Sequence, residues 1–553
     1  MPETPSDQPP DANSSEPAGS GSNRRGDDSN DRPHPIGDFA ADTVDSIKEV
    51  VADPAAELLR RTDRRLRHLW SRSSLKAEIA RDRAVRVILS IRRPLQSRNV
   101  VIGILALLAA LLVVYLTADT LPRETALMAG IFVAAALLWA TEALPLFATA
   151  LLIIGLEIIL LANPGNWPGL GFSEGPTPSY ETFLAPIADP IIILFLGGFI
   201  IARAAVKEGV DRTLAKLVLR GFGTRPGNVM LGLMAITAVF SMWMSNTAAT
   251  AMMITLVTPM IAGIDKADPL RVGLVLSVPF AANIGGMGTP ISSPPNAVAV
   301  GFLNSAGYPV SFLEWMVVAV PLATGLLLLS WVVLRWMYPP ERSSVTMNAD
   351  ASSLDARSIF VLTVMVVTIV LWCTDRWHGL PTAVVALLPV VAFTATGLLT
   401  QADFDSLEWN ILILIAGGIA LGTGMQSTGL DEVIVGFVPA GGPFVILALA
   451  VTTVLVSTLM SNTAAANLLV PIGVALAMGA ASTLDPIHVA ISIALAASVS
   501  MALPVSTPPN AIAYASGVCN TNDFVRAGSL IGLVALVLIV TLGGPIIAFW
   551  IPM

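Results

Sequence analysis

Apolar residues dominate the chain from about residue 99 onward, in runs that are too long for the core of a soluble domain. Runs of about 18 or more apolar residues predict helices that cross a lipid bilayer. The predicted spans are residues 100–117, 125–140, 143–162, 188–206, 316–338, 358–374, 380–399, 408–424 and 526–550. The pattern therefore predicts an all-α polytopic membrane protein.

Three longer apolar tracts, 228–263, 270–305 and 440–516, are interrupted by Gly, Pro, Ser, Thr and Asn. Five basic residues lie between the span at 188–206 and the first of these tracts, whereas the loop 163–187 contains no Lys or Arg. Under the positive-inside rule, the basic loops fall on the cytoplasmic side if the N-terminus is cytoplasmic and 228–263 returns to the face it entered from. We therefore expect 228–263 to be a re-entrant hairpin, buried in protein or lining a water-filled cavity.

Two short motifs occur twice, in the same order. The segment SMWMSNTAA at 241–249 reappears as STLMSNTAA at 457–465, and SSPPNA at 292–297 reappears as STPPNA at 506–511. A Gly-Gly pair upstream of the first motif, at 197 and 198, matches a second pair at 417 and 418. An odd number of predicted spans separates the two copies, so the second is inverted in the membrane. Inverted repeats with helices broken at matching positions are typical of secondary transporters, whose binding site lies where the repeats meet.

Composition excludes several other classes of protein. Of the 553 residues, 54% are hydrophobic and only 13% are charged, and the formal net charge is −8, so no basic surface suggests nucleic-acid binding. Two cysteines and four dispersed histidines give no metal-binding or disulfide pattern. Residues 1–45 are polar and predicted to be disordered. Residues 46–98 are Arg-rich and predict an amphipathic cytoplasmic helix, either on anionic lipid or as a solvated linker.

The broken segments carry the candidate chemistry. A helix that begins inside the membrane directs free N–H groups and the positive end of its dipole at the break, which suits an anion. Carbonyl, hydroxyl and amide oxygens at the same break suit a small cation. Because 229–264, 272–313, 433–484 and 486–522 contain no Asp, Glu, Lys or Arg, we expect no carboxylate in the site. Sodium is therefore favoured over protons as the coupling ion. The alternative is that these small residues only allow close helix packing, and the paired motifs argue against it.

Two acidic residues lie in apolar segments outside the breaks. Glu142 precedes Pro145, and Glu157 lies within the predicted span 143–162. We expect Glu142 to be a capped, buried structural residue rather than part of a transport pathway.

The paired Ser-Asn-Thr and Pro-Pro-Asn motifs resemble the signature of the divalent-anion:sodium symporter family. The segments WATEALPL at 139–146 and WNILILIAGG at 409–418 are similar to other segments of that family. The resemblance covers residues 100–553. It implies a homodimer with a scaffold domain, a mobile transport domain and elevator-type alternating access. It also implies a first repeat at 99–340 with an inward hairpin at 228–263, and a second repeat at 341–553 with an outward hairpin at 440–480.

The resemblance also implies the binding residues. The residues expected to bind the substrate carboxylates are Ser245, Asn246, Thr247, Ser293, Pro294, Ser461, Asn462, Thr463, Thr507 and Pro508. The first sodium site would use Ser241, Ser245, Asn246 and the carbonyl of Ser292. The second would use Ser457, Ser461, Asn462 and the carbonyl of Ser506.

The function expected from the sequence is sodium-coupled uptake of C4-dicarboxylates, such as succinate, malate or fumarate, across the plasma (inner) membrane. No organic cofactor is expected, and the partners would be the substrate, sodium ions, lipid and a second copy of the chain. Within the same fold, a sodium-independent dicarboxylate exchanger, or citrate or sulfate as substrate, remains open. A membrane-embedded enzyme is disfavoured, because the breaks contain no nucleophile with a base and no metal cluster. A channel is disfavoured because two inverted half-sites with re-entrant tips suit alternating access better than an open pore.

Overall fold

The structure is a computed structural model that describes residues 98–173, 175–345, 354–437, 443–479 and 482–550. The predicted disordered tail at 1–45 and all but the last residue of the predicted amphipathic segment at 46–98 lie outside the described residues. Within the described ranges, all regular secondary structure is helical.

The first half of the described chain contains eleven α-helices. They are α1 (Arg98–Thr117), α2 (Arg123–Thr141), α3 (Leu146–Glu157), α4 (Tyr180–Leu184), α5 (Pro190–Lys207), α6 (Val210–Gly221), α7 (Pro226–Ser241), α8 (Asn246–Ala262), α9 (Leu270–Gly285), α10 (Pro294–Ser305) and α11 (Phe312–Met337). Helix α3 continues as a turn of π-helix at Ile158–Ala162, and α4 as a 3-10 turn at Ala185–Ala188.

The second half also contains eleven described α-helices. They are α12 (Ala356–Cys373), α13 (Asp375–His378), α14 (Thr382–Ala395), α15 (Gln401–Asp405), α16 (Trp409–Ser427), α17 (Leu430–Phe437), α18 (Pro443–Leu459), α19 (Asn462–Met478), α20 (Pro486–Ser498), α21 (Pro508–Ala515) and α22 (Thr521–Trp550).

Seven helical segments of the described chain are long and apolar enough to cross a membrane, and eight shorter apolar segments accompany them. The longest, α22, has 30 residues, and α11 has 26. These lengths exceed the roughly 20 residues that span a bilayer. The prediction of an all-α polytopic membrane protein is confirmed.

The broken tracts fold as paired short helices. Helices α7 and α8, of 16 and 17 residues, meet at a tip around residues 242–245, and α18 and α19, of 17 residues each, meet at 460–461. Irregular backbone also separates α9 from α10 and α20 from α21. The sequence therefore located all four breaks, because Pro and Ser at these positions begin helices rather than continue them.

The two repeats interleave rather than form separate lobes. Helix α10 of the first repeat packs on α19 and α20 of the second, whereas α21 of the second packs on α8 and α9 of the first. This exchange brings the breaks of both repeats into the same core.

One glycine of each repeated pair allows two helices to pack closely, α5 on α14 and α16 on α3. A Cβ added at Gly197 of α5 would lie 2.7 Å from the backbone of Ala386 in α14. A Cβ at Gly417 of α16 would lie 2.3 Å from Cβ of Ala150 in α3. Small residues allow such backbone-to-backbone contact in membranes, so both copies of the pair have the same structural use.

The two acids outside the breaks differ in their surroundings. Glu142 is exposed and adopts left-handed backbone geometry, φ 49°, where α2 ends. The expectation that it is buried is therefore wrong, because Glu142 lies in the left-handed turn that ends α2 and its side chain is exposed there. Glu157 is fully buried at the end of α3, and neither carboxyl oxygen has a hydrogen-bond partner.

Candidate functional site

The two hairpin tips have nearly identical local geometry. Ser245 is the N-cap of α8, with φ −61° and ψ 140°, and Ser461 is the N-cap of α19, with φ −61° and ψ 136°. Each serine Oγ accepts a hydrogen bond from a backbone N–H three residues on, at Ala248 and Ala464 respectively. The Ser-Asn-Thr motif is thus a helix start placed inside the protein, with its first-turn N–H groups directed at the tip.

A first oxygen cluster lies behind the first tip and consists of Ser241, Asn246 and the carbonyl of Ala282. The fully buried Ser241 Oγ lies 2.6 Å from Asn246 Oδ1 and 2.7 Å from the Ala282 carbonyl oxygen. One hydroxyl hydrogen cannot satisfy both acceptors, so the three oxygens form an electron-rich group.

A second oxygen cluster occupies the matching place behind the second tip. It consists of Ser457, Asn462, Ser500 and the carbonyl of Ala497. Five oxygen–oxygen contacts of 2.7–3.2 Å join these four atoms, yet only two hydroxyl hydrogens are available to them. Converging oxygens with too few hydrogens suit a hard cation, which takes oxygen ligands.

Ser500 is the member of the second oxygen cluster that sequence reasoning missed. It is 1% exposed and lies in the segment between α20 and α21, two residues after the helix ends. The signal available in the sequence was a lone Ser in an apolar tract, which by itself indicates nothing. In the first repeat, Gly286 follows α9 in the corresponding segment, and a Cβ there would lie 2.3–2.4 Å from the Asn246 amide. The two clusters are therefore built differently.

The asparagine of each Pro-Pro-Asn motif holds the broken backbone in shape. Asn296 Nδ2 donates to the carbonyls of Gly286 and Thr289 at 2.9 and 2.8 Å, and it is fully buried. Asn510 Nδ2 donates to the carbonyls of Met501 and Leu503, both at 2.9 Å. These amides satisfy carbonyls that a continuous helix would have paired, so the motif fixes the loop that faces each tip.

The two repeats are joined at their breaks. Asn283 of α9 donates to Thr507 Oγ1 at 3.1 Å and to Asn510 Oδ1 at 3.3 Å. This buried contact links residues more than 220 positions apart. The contact joins the broken segments of the two repeats.

The remaining predicted site residues lie as follows. Asn246 and Thr247 are half-buried in the first turn of α8, and Thr463 is 8% exposed in α19. Ser293 is 4% exposed at the N-cap of α10, next to a half-buried Pro294, whereas Pro508 is exposed. Which of these residues bind substrate remains a prediction.

The two predicted carbonyl ligands belong to loops rather than to the clusters themselves. Ser292 Oγ lies 2.7 Å from the carbonyl oxygens of Gly286 and Thr289, so Ser292 is tied to the segment that touches Asn246. Ser506 Oγ donates to the Leu503 carbonyl at 2.8 Å. Their roles as sodium ligands also remain predictions.

One acidic residue lies near the first tip. The broken tracts themselves contain no carboxylate, but Glu408 of the second repeat lines the same cavity as Ser245. Glu408 is the residue before α16, so it precedes a span rather than interrupting one. Only the folded chain brings it to the tip.

Glu408 and Ser245 both line a cavity of about 190 Å³. Its other lining residues come from α5, from Ala248 and from the segment before α16; they are Phe199, Ala202, Arg203, Val206, Ser406 and Leu407. The cavity therefore adjoins the first tip.

An ion-paired cluster lies beside this cavity. The Asp403 carboxylate, with 7% of its side chain exposed, accepts from Lys207 Nζ at 2.6 Å and from Arg203 Nη2 at 2.9 Å. It also accepts from the backbone N–H and the hydroxyl of Thr400 at 2.9 and 2.8 Å. The hydrogen bond from Lys207, supported by Thr400 and Arg203, holds the pKa of Asp403 well below its usual range. The cluster ties α5 of the first repeat to α15 of the second.

Clusters of acidic or sulfur ligands offer no alternative cation site in the part of the chain that the structure describes. No group of three or more His, Cys, Asp or Glu residues among the described residues could hold a metal ion.

Comparison with known proteins gives a consistent picture. The profile of the citrate transporter family, CitMHS, matches residues 136–487 and 369–553. The chain is 30% identical over 461 residues to the sodium-dependent dicarboxylate transporter SdcS of Staphylococcus saprophyticus, covering 74% of this chain and 85% of that protein. It is also 30% identical over 427 residues to the inorganic phosphate transporter PHO87 of Saccharomyces cerevisiae, covering 74% of this chain and 45% of that protein.

Two further facts define the extent of these similarities. The chain spans about half the length of two yeast relatives that it matches: 52% of an uncharacterized transporter of Schizosaccharomyces pombe and 45% of PHO87. Among solved structures, the YdaH transporter of Alcanivorax borkumensis matches with a TM-score of 0.51 at 14% identity, covering 75% of this chain and 99% of that one. At that identity the likeness concerns the fold alone.

Proposed function

This chain belongs to the citrate transporter family, and from that premise we propose that it is a secondary transporter that couples sodium entry to the uptake of C4-dicarboxylates. The proposal rests on one structural observation above all. Two helix starts with matching geometry each carry a neutral oxygen cluster directly behind the tip. The name of the SdcS relative supports both the ion and the substrate class.

The tips suit the substrate because they offer hydrogen-bond donors without a formal charge. The first-turn N–H groups of α8 and α19 and the positive ends of their dipoles stabilise an anion. Two tips match the two carboxylates of a C4-dicarboxylate. The proposed substrate ligands are Ser245, Asn246, Thr247 and Ser293 with Pro294 in the first repeat, and Ser461, Asn462, Thr463 and Thr507 with Pro508 in the second.

The oxygen clusters suit the coupling ion. We assign one sodium ion to each cluster together with the loop carbonyl that faces it, with Ser241, Ser245, Asn246 and the Ser292 carbonyl at the first, and Ser457, Ser461, Asn462, Ser500 and the Ser506 carbonyl at the second. Asn246 and Asn462 belong to both a tip and a cluster, so a bound cation lies next to the bound anion. Because they are adjacent, the bound sodium ion and the bound substrate anion each make the binding of the other more favourable, and this is how the two are coupled.

Transport then requires that the paired tips be exposed to the two sides in turn. We propose elevator-type alternating access in a homodimer of the plasma membrane, with the N-terminus cytoplasmic and the two repeats in opposite orientations. The broken helices at matching positions of both repeats support this arrangement, since they are the usual feature of inverted-repeat transporters.

Uptake into vesicles tests the proposal. The purified protein would be reconstituted into liposomes, and labelled succinate uptake measured with an inward gradient of sodium, potassium or choline. We expect accumulation with sodium alone. Uptake that requires preloaded dicarboxylate, and not sodium, would identify an exchanger instead.

Phosphate is the second candidate substrate, and the match to PHO87 favours it. The same vesicles would be given labelled phosphate, citrate or sulfate. Sodium-driven accumulation of phosphate without succinate transport would replace the dicarboxylate assignment, while leaving the assignment of the tips and clusters intact.

A further inference from the structure

The cavity beside the first tip contains an arrangement that the proposed function does not use. Three residues line it together: the N-cap Ser245, Arg203 from α5, and Glu408 from the second repeat. A substrate anion that reaches Ser245 through this cavity would pass close to Glu408.

Glu408 is not engaged in stabilising its own helix. It is the N-cap residue of α16, but its side chain makes no capping bond. Asp189, the N-cap of α5 in the first repeat, behaves differently and accepts from the N–H of Ile191 at 2.8 Å. Glu408 instead lines the cavity that Ser245 of the first tip also lines.

The nearby cation does not neutralise Glu408. Arg203 lines the same cavity, but among the described residues its ion pair is with Asp403, which it shares with Lys207. Asp403 is therefore saturated with donors, whereas no ion pair among the described residues involves Glu408. A carboxylate beside the first tip is the same chemical group that a dicarboxylate substrate would bring.

We propose that Glu408 guards the first tip against anions: its carboxylate occupies the position of a substrate carboxylate at Ser245, and the substrate must displace it. This inference rests on the proposed function for the identity of the substrate, but the cavity that Glu408 and Ser245 share does not depend on it. The half-buried Glu408 reduces the fraction of molecules whose tip is free, and the apparent affinity falls by that fraction.

Substrate binding to purified protein gives the first test. The variant E408Q keeps the shape of the side chain and removes its charge, and D405N removes one charge from an exposed residue nearby that does not line the cavity. If the tip is occupied by Glu408 about 90% of the time, E408Q binds labelled succinate in sodium about tenfold more tightly. D405N should bind as wild type does. Unchanged or weaker binding by E408Q would overturn the proposal.

A second test does not depend on the substrate. Cys373 and Cys519, the two cysteines of the chain, would be replaced by alanine and Ser245 by cysteine. The thiol would be reacted with an anionic reagent, sulfonatoethyl methanethiosulfonate, and with a cationic one, trimethylammonioethyl methanethiosulfonate. Adding E408Q should raise the ratio of the anionic to the cationic rate about tenfold, because it removes a negative charge at the tip. Adding D405N should not.

The two tests separate the two proposals. A shifted reagent ratio without succinate binding in any variant would support Glu408 as the guard and refute the dicarboxylate assignment. An unshifted ratio would refute the guard, whatever the protein transports.

Discussion

Ser500 allows the sharpest test of the second oxygen cluster. The change S500A deletes one of the three side-chain oxygens of the cluster and keeps the Cβ, so the packing of the segment between α20 and α21 is retained. The deleted oxygen makes contacts of 2.7 Å with Ser457 Oγ, 3.2 Å with Asn462 Oδ1 and 3.0 Å with the Ala497 carbonyl. If the cluster binds sodium, the ion loses one of its ligands.

The size of the effect follows from the value of one such oxygen. An interaction of a polar oxygen with a charged partner contributes about 1.5–3 kcal/mol, and the partial access of water to the vacated space should keep the loss near the lower end. A loss of about 1–2 kcal/mol raises the sodium concentration for half-maximal uptake about 5- to 30-fold. The maximal rate at saturating sodium should change less.

The matched control is S498A. Ser498 is 2% exposed, and its Oγ donates to the Ala494 carbonyl of its own helix at 3.1 Å, so the control also deletes a single buried hydroxyl two residues away. The assay is initial succinate uptake in proteoliposomes as a function of sodium concentration. Equal sodium dependence in S500A and S498A would refute the assignment of Ser500 to the cation site.

Three further predictions concern the first cluster, both tips and the ion-paired cluster. N246A and N462A should each abolish uptake while the protein remains folded in detergent by size-exclusion chromatography, since each asparagine serves both a tip and a cluster; normal uptake would contradict this. G286A should abolish sodium-dependent uptake, because the new Cβ would lie 2.3–2.4 Å from the Asn246 amide, whereas G155A, which meets nothing within 4 Å, should not. D403N should lower the free energy of unfolding by about 1–3 kcal/mol. Because the folded-state pKa of Asp403 is lowered, wild type should keep its advantage in melting temperature over D403N at pH 5–7, and lose it only below about pH 4.

The sequence allowed much of the fold to be predicted, because lipid exposure demands long apolar helices and because duplication made the breaks visible. A single Ser-Asn-Thr in an apolar tract is ambiguous, but two copies followed by Pro-Pro-Asn at the same spacing are not. The structure shows why both motifs recur: the serine caps a helix at the tip, and the later asparagine holds the loop that faces it.

The residues that sequence reasoning missed are those whose partners are distant along the chain. Glu408 precedes a span and comes to line the same cavity as Ser245 only in the folded protein. Ser500 has no counterpart in the first repeat, where Gly286 lies against Asn246, so the duplication could not reveal it. The burial of Glu142 was wrongly predicted because the exposure of its side chain depends on how the chain leaves α2, which no local pattern specifies.

The most direct test of the central claim is the sodium dependence of succinate binding to the purified protein. If each oxygen cluster binds one sodium ion next to a substrate carboxylate, binding should be absent in choline and should rise with sodium with a Hill coefficient approaching about two. The variant S500A should shift the curve to higher sodium concentration, and N462A should eliminate binding. Succinate binding that is equally tight with sodium and with choline would contradict the account.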